Sequence, residues 1–107
     1  MKQVTVHEAW EAVRERGAVL VDVRELHEWN EMRAVGARHI PLSELEGVLA
    51  ARALPSDVEL LFICASGNRS QVAVLSAMER SYAAVANVDG GTVAWFLAGL
   101  PVERSGS

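Results

Sequence analysis

Only one cysteine, Cys64, occurs among the 107 residues. An intramolecular disulfide is thereby excluded, and so is a metal cluster held by several thiolates. Histidine offers no substitute, because His7, His27 and His39 show neither HxxH nor HExxH spacing. Positive charge is scarce as well. Lys and Arg number 10 against 14 Asp and Glu, a formal net charge of −4, with a sequence pI near 5.3. Nucleic acid needs a surplus of cations on one face, so it is not expected as a partner. No apolar run approaches the ~18 residues that cross a membrane. The segment Met1-Lys2-Gln3-Val4-Thr5-Val6 lacks the apolar stretch of a signal peptide. A cytoplasmic protein is expected, with no metal, no cofactor and no membrane contact.

What is present suits a globular chain. Half of the residues are hydrophobic and 22% are charged. A domain of this size buries roughly two-thirds of its unfolded surface, enough for a core without metal or disulfide support. One domain over residues 1–107 is expected, since domains typically run about 100–150 residues. No repeat, linker or low-complexity tract is visible, and the chain from about 103 to 107 is expected to fray.

Apolar runs alternate with helical periods, which predicts an α/β protein with a largely parallel sheet. Thr5-Val6-His7-Glu8 reads as a capping box opening a helix to about Arg16, with Gly17 just past its end. Ala18–Val23 is an apolar run, as in a strand covered on both faces. A short helix follows near Glu25–Asn30, and Ser43-Glu44-Leu45-Glu46 reads as a second capping box, with Pro55 beyond the end of its helix. Glu59–Cys64 is the next central strand. Arg69 to about Tyr82 is then helical, with Val74, Leu75, Met78 and Tyr82 as its apolar stripe. Ala84–Val88 makes a third strand, Asp89-Gly90-Gly91 a turn, and Thr92–Ala98 a last helix closed by Gly99 and Pro101. Asp22, Cys64 and Asp89 all fall at strand ends. In an open parallel sheet ligands bind at the carboxyl ends of strands, which is where Cys64 sits.

The segment Cys64-Ala65-Ser66-Gly67-Asn68-Arg69-Ser70 joins a buried strand to a helix N-terminus. Small residues and a glycine let the backbone curl so that successive amides point inward, a nest that holds negative charge. The following helix adds its positive end, and Arg69 adds a permanent cation. Each favours thiolate over thiol, and the thiolate is the nucleophile. A free cysteine is usually an inert core thiol. This loop argues for a reactive one.

The loop resembles the CxxGxRS active-site loop of rhodanese-like domains. Leu20-Val21-Asp22-Val23-Arg24-Glu25 with Glu28-Trp29, then Gly36-Ala37 and Ile40-Pro41-Leu42, resemble further segments of that family in the same order. So do Asn87-Val88-Asp89-Gly90-Gly91, Trp95 and Ala98-Gly99-Leu100-Pro101-Val102. The resemblance implies a rhodanese-like fold: a central, mostly parallel five-stranded sheet with helices on both faces. It also implies double displacement through a cysteine persulfide. Cys64 would take a sulfane sulfur from a small anionic donor, thiosulfate or a persulfide, and pass it to a thiophilic acceptor. Cyanide, a thiol or a sulfur-carrier protein would serve as that acceptor. The amides of Ala65, Ser66, Gly67, Asn68, Arg69 and Ser70 would stabilise thiolate and persulfide, and Arg69 would hold the donor. One segment departs from the family: Met32-Arg33-Ala34 stands where Gly-His-Ile is common, which puts Arg33 near the site.

Other polar residues invite plainer readings. Asp22, Arg24 and Glu28 form a charged trio near a strand end, read as a structural ion-pair set supporting the loop, with anion steering by Arg24 as the alternative. Trp10, Trp29 and Trp95 read as packing aromatics. His27 and His39 have no partner that would make either a general base. Two rival functions share the fold. Cysteine phosphatases place one residue more between nucleophile and arginine, whereas Cys64 and Arg69 enclose only Ala65 to Asn68. The smaller ring suits one sulfur better than a phosphate, and no Asp or Glu inside it stands ready as a general acid. A binding or regulatory module of the same family is the other rival, and an intact Cys64 speaks against it. A sulfur-relay role keeps the persulfide and changes only the acceptor.

Overall fold

The computed structural model of the protein describes residues 1–105. In chain order the elements are β1 (Gln3–Val4), α1 (Val6–Arg16), β2 (Val19–Asp22), α2 (Leu26–Glu31), β3 (Arg33–Ala34) and β4 (Ala37–His39). There follow α3 (Leu42–Ala50), β5 (Leu60–Ile63), α4 (Arg69–Glu79), β6 (Val85–Val88), α5 (Gly91–Leu97) and β7 (Val102–Glu103). Five strands form one sheet in the order β1-β6-β5-β2-β4, and each of its pairings is parallel. β3 and β7 pair antiparallel as a separate ribbon.

The apolar runs become the centre of this sheet because both of its faces are covered. Every residue of β2, β5 and β6 is buried. Alternate side chains then go to opposite sides, as a strand requires. Val19, Val21, Leu60, Phe62 and Val85 join α3 and α4 in one cluster. Leu20, Leu61, Ile63, Ala86 and Val88 join α1 and α5 in the other. Trp95 is fully buried in the second cluster and meets Trp10 edge-on at 5.8 Å. Burial of such side chains stabilises by about 1.5–3 kcal/mol each, which makes the sheet a rigid base for what stands at its carboxyl end.

The sequence reading holds for α1, whose Thr5–Glu8 capping box is closed in both directions. It needs correction at α3. Ser43 is not a cap: the helix begins at Leu42 behind Pro41, and the Leu42 amide is held by the carbonyl of Val23. The end of β2 therefore fixes this helix start, not a local box. α4 stops at Glu79, where Ser81 turns left-handed and the Tyr82 amide bonds back to Ala77. Its buried stripe is Ser70, Ala73, Val74 and Ala77, small residues that seat the helix close on the sheet. Leu75 and Met78 lie outside that stripe and are each 51% exposed. Glu103 and Ser105, in the stretch expected to fray, are tied down. Glu103 lies in β7 opposite Arg33, and the Ser105 amide donates to the Asn30 carbonyl at 3.0 Å. Gly106 and Ser107 lie outside the described residues.

Candidate active site

Cys64 follows β5 directly and is 1% exposed. The chain then turns through Ala65 to Asn68 and enters α4 at Arg69. Gly67 makes the turn with φ +108°, a conformation that side chains with a Cβ resist. The turn brings the Gly67 amide to 3.1 Å from Cys64 Sγ and the Ser70 hydroxyl to 3.2 Å. The first turn of α5 grips the loop from the other side. Its Thr92 amide and hydroxyl both donate to the Cys64 carbonyl, at 2.8 and 3.0 Å, and the Val93 amide donates to the Ala65 carbonyl at 3.0 Å.

These contacts set the charge state of the sulfur. Burial is the largest single influence and pushes the thiol pKa up. Against it stand the Ser70 hydroxyl and the amides of Ser70, Gly67 and Ser66, and together they bring the thiol below its ordinary value. Of the loop amides, that of Gly67 makes the hydrogen bond to the sulfur. Asn68 opens α4 without a side-chain cap bond.

The charged trio is arranged differently from the sequence reading. Asp22 is fully buried and takes two prongs of Arg24, Nε at 2.9 Å and Nη2 at 2.8 Å. Arg24 also reaches the Met32 carbonyl at 2.7 Å, so this pair ties β2 to the chain entering β3. Glu28 belongs to another pair. It grips Arg69 of the loop with both oxygens, at 2.7 and 2.8 Å. The Arg69 hydrogen bond, set against a smaller burial effect, holds the Glu28 carboxyl down to about 2. The loop cation therefore has a resident carboxylate, a partner 41 positions away that no local signal could assign.

Arg33, from the departing Met32-Arg33-Ala34 segment, is also engaged. Its guanidinium lies 4.7 Å from the Trp29 ring and bonds Glu103 at 3.1 Å. Trp29 stacks on His39 at 4.9 Å, and His39 Nε2 lies 2.8 Å from the Arg24 carbonyl. A second polar line, which the sequence reading missed, runs beneath the sulfur. Ser70 donates to Asn87 Oδ1, and Asn87 Nδ2 donates to Gln3 Oε1 at 2.7 Å. Its signal was faint: one amide in the otherwise apolar run Val85–Val88. A cavity of about 300 Å³ lies elsewhere, lined by Met1, Lys2, Glu59, Met78 and Val85 among others, with no loop residue in its wall. Among the described residues no acidic, cysteine and histidine group could hold a metal ion.

A buried cysteine sulfur bonded by a loop amide and a hydroxyl at the carboxyl end of a parallel sheet defines a class: α/β domains with a cysteine-centred loop. Comparison with known proteins narrows it. The Rhodanese-like domain family model matches residues 5–98, and the chain belongs to that family. A thiosulfate sulfurtransferase, GlpE, of Stutzerimonas stutzeri is 33% identical over 84 residues, 78% of this chain and 75% of that protein. The crystal structure of a rhodanese-related protein from Thermoplasma volcanium is 28% identical, with a TM-score of 0.82 over 96% of this chain and 98% of that one. A thiosulfate sulfurtransferase from Pseudomonas aeruginosa superposes over the whole of this chain and 21% of its own, at 26% identity and a TM-score of 0.87. The five-stranded parallel sheet and its two helical layers are therefore the family's fold. No helix among the described residues is long and apolar enough to cross a membrane.

Proposed function

We propose that this protein is a sulfurtransferase of the thiosulfate sulfurtransferase type, with Cys64 as its covalent sulfur carrier. One observation carries the reading: the sole thiol is buried in a loop whose amides and hydroxyl converge on its sulfur and favour the anion. The Cys64 thiolate attacks the sulfane sulfur of thiosulfate. The S–S bond of the donor breaks, sulfite leaves with the electron pair, and Cys64 carries a persulfide. A thiophile such as cyanide then attacks the terminal sulfur and leaves as thiocyanate, returning the thiolate. A thiol or a sulfur-carrier protein in cyanide's place makes the same step a relay. The amides of Ala65 to Ser70 stabilise the anion on either sulfur, and a compact ring favours that over a phosphate. Arg69 offers the donor a cation that it shares with Glu28. Asp22 and Arg24, at the end of β2 beside β5, act as supports and take no part in the chemistry. A reducing, cytoplasmic compartment suits a carrier that works as a free thiol.

Intact mass measures this directly. Incubation with thiosulfate should add one sulfur atom, and cyanide should remove it. A Cys64→Ala variant that still gains the sulfur would overturn the assignment.

A further inference from the structure

Beneath the loop, polar side chains run into a layer where apolar packing is the rule. Ser70 and Asn87 are 0% and 1% exposed. Asn87 stands inside β6, between Ala86 and Val88 of the opposite cluster, and shares its face with Val85 and the sulfur. A buried amide is costly unless its groups are bonded, and this one is bonded at both ends, to Ser70 and to Gln3. Its position under a reactive sulfur calls for a reason beyond packing.

A serine hydroxyl has one proton. Here that proton goes to Asn87 Oδ1, so Ser70 Oγ turns a lone pair towards the sulfur 3.2 Å away. That arrangement suits a thiol, whose S–H donates to Oγ. The hydroxyl's lowering of the thiol pKa belongs to the opposite orientation, with the Ser70 proton on a thiolate. To serve the anion the Ser70 proton must turn to sulfur, which strips Asn87 Oδ1 of its donor in a dry strand. The amide answers by turning over. Nδ2 then donates to Ser70 Oγ, and Oδ1 accepts from the amide of Gln3, which is exposed on the edge strand and turns with it. Each hydrogen bond is kept and each runs in the opposite direction.

We propose that Asn87, backed by Gln3, is a positioning residue that sets the direction of the Ser70 proton and thereby selects between the thiol and the anionic sulfur of Cys64. This deepens the reading of Cys64 as the sulfur carrier and rests on it. On ionisation the sulfur releases its proton to solvent, the S–H···Oγ bond is lost, and an Oγ–H···S⁻ bond replaces it. The charged groups around the sulfur are Arg69 of the loop with Glu28 of α2, and the Asp22–Arg24 pair at the end of β2. The first turn of α5, Gly91 to Val93, carries no charge, and Asp89 after β6 is exposed. Those groups set the local field, while Asn87 sets the donor.

Asn87→Asp tests this, since a carboxylate only accepts and keeps the Ser70 proton turned away. The Cys64 pKa, read from iodoacetamide alkylation rate against pH, should rise by at least about one unit, a tenfold loss of thiolate below it. An added negative charge raises it too, so the substitution is repeated on Ser70→Ala. Only the charge contribution remains there, so the rise should be clearly smaller than in the native background. An equal rise in both backgrounds, or none in the native one, overturns the proposal. Should Asn87→Asp fail to fold, Gln3→Glu on the exposed edge decides, because it holds Asn87 Nδ2 outward. A rise that needs Ser70 supports the role; no rise, or one that persists in Ser70→Ala, overturns it. Alkylation reports the thiolate and not sulfur transfer, so this outcome is separate from the gain of mass with thiosulfate.

Discussion

Arg69 shows how far one contact changes the meaning of a residue. By its place in the loop it is a free cation waiting for an anion, yet Glu28 already occupies two of its N–H groups. An anionic donor must then compete with a fixed carboxylate for the same fork. Charge-assisted hydrogen bonds contribute about 1.5–3 kcal/mol, so Arg69→Ala should lower kcat/KM for thiosulfate roughly ten- to hundredfold. Lysine keeps the charge, loses the planar fork, and should rescue only partly. Glu28→Gln should act in the opposite sense and lower KM for thiosulfate, since it leaves the guanidinium less neutralised. Steady-state kinetics on folded variants check this. An Arg69→Ala protein with native kcat/KM would remove Arg69 from donor binding.

At the scale of elements, the loop is clamped between two helix starts. The first turn of α4 supplies Ser70, the turn before it supplies the Gly67 amide on the sulfur, and the first turn of α5 binds the outer carbonyls. Such closeness depends on Gly91, where φ is +59° and an added Cβ would fall 2.5 Å from the Cys64 carbonyl oxygen and 2.6 Å from that of Ala65. Both obstacles are backbone, so neither can step aside without moving the loop. Gly91→Ala should therefore cut sulfur transfer more than about tenfold and raise the alkylation pKa of Cys64, as amide–sulfur contacts lengthen. Gly47→Ala is the matching control. It lies exposed inside α3 with nothing within 4 Å of the new Cβ, and should stabilise by about 0.5–1 kcal/mol without touching turnover. Native activity in Gly91→Ala would mean that α5 does not hold the loop.

Across the whole molecule, two of the ion pairs differ in character, and stability against pH separates them. Asp22 and Arg24 have side chains 0% and 6% exposed. Removing one partner of such a pair leaves a charge without water or counterion, at a cost of about 3–5 kcal/mol. Asp22→Ala should lower the urea midpoint accordingly at neutral pH. Glu28 and Arg69 are 20% and 39% exposed, so their pair contributes less. It has a signature of its own. The Glu28 pKa falls from 4.5 to about 2 on folding, so its contribution is complete above 4.5 and disappears as pH drops towards 2. Glu28→Gln should be less stable than the native protein at pH 7, and the two should converge near pH 2. A gap that stays constant over that range would show that Arg69 does not hold the carboxyl down.

Much of this was legible along the chain. The Thr5 capping box, the buried runs at β2, β5 and β6, and the loop from Cys64 to Ser70 are each written in neighbouring residues. Caps, strand periods and tight turns are satisfied within a few positions, so sequence alone determines them. The order of the motifs did the same for the five-stranded fold. β1, β3, β4 and β7, of two or three residues each, are too short to show a period and become strands only because partners wait for them. Ser43 looked like a cap and lost to a backbone bond from Val23, a contact that exists once β2 and α3 meet. The site divides along the same line. Cys64 and its loop are local, whereas Glu28 finds Arg69 across 41 positions and Gln3 finds Asn87 across 84. Those pairings follow from strand order, which brings β1 beside β6 and sets β5, with the sulfur at its end, between β6 and β2. The sequence determined which atom we propose as the nucleophile; the tertiary structure decided which side chains hold it, because hydrogen bonds are made at 3 Å in space whatever the distance along the chain.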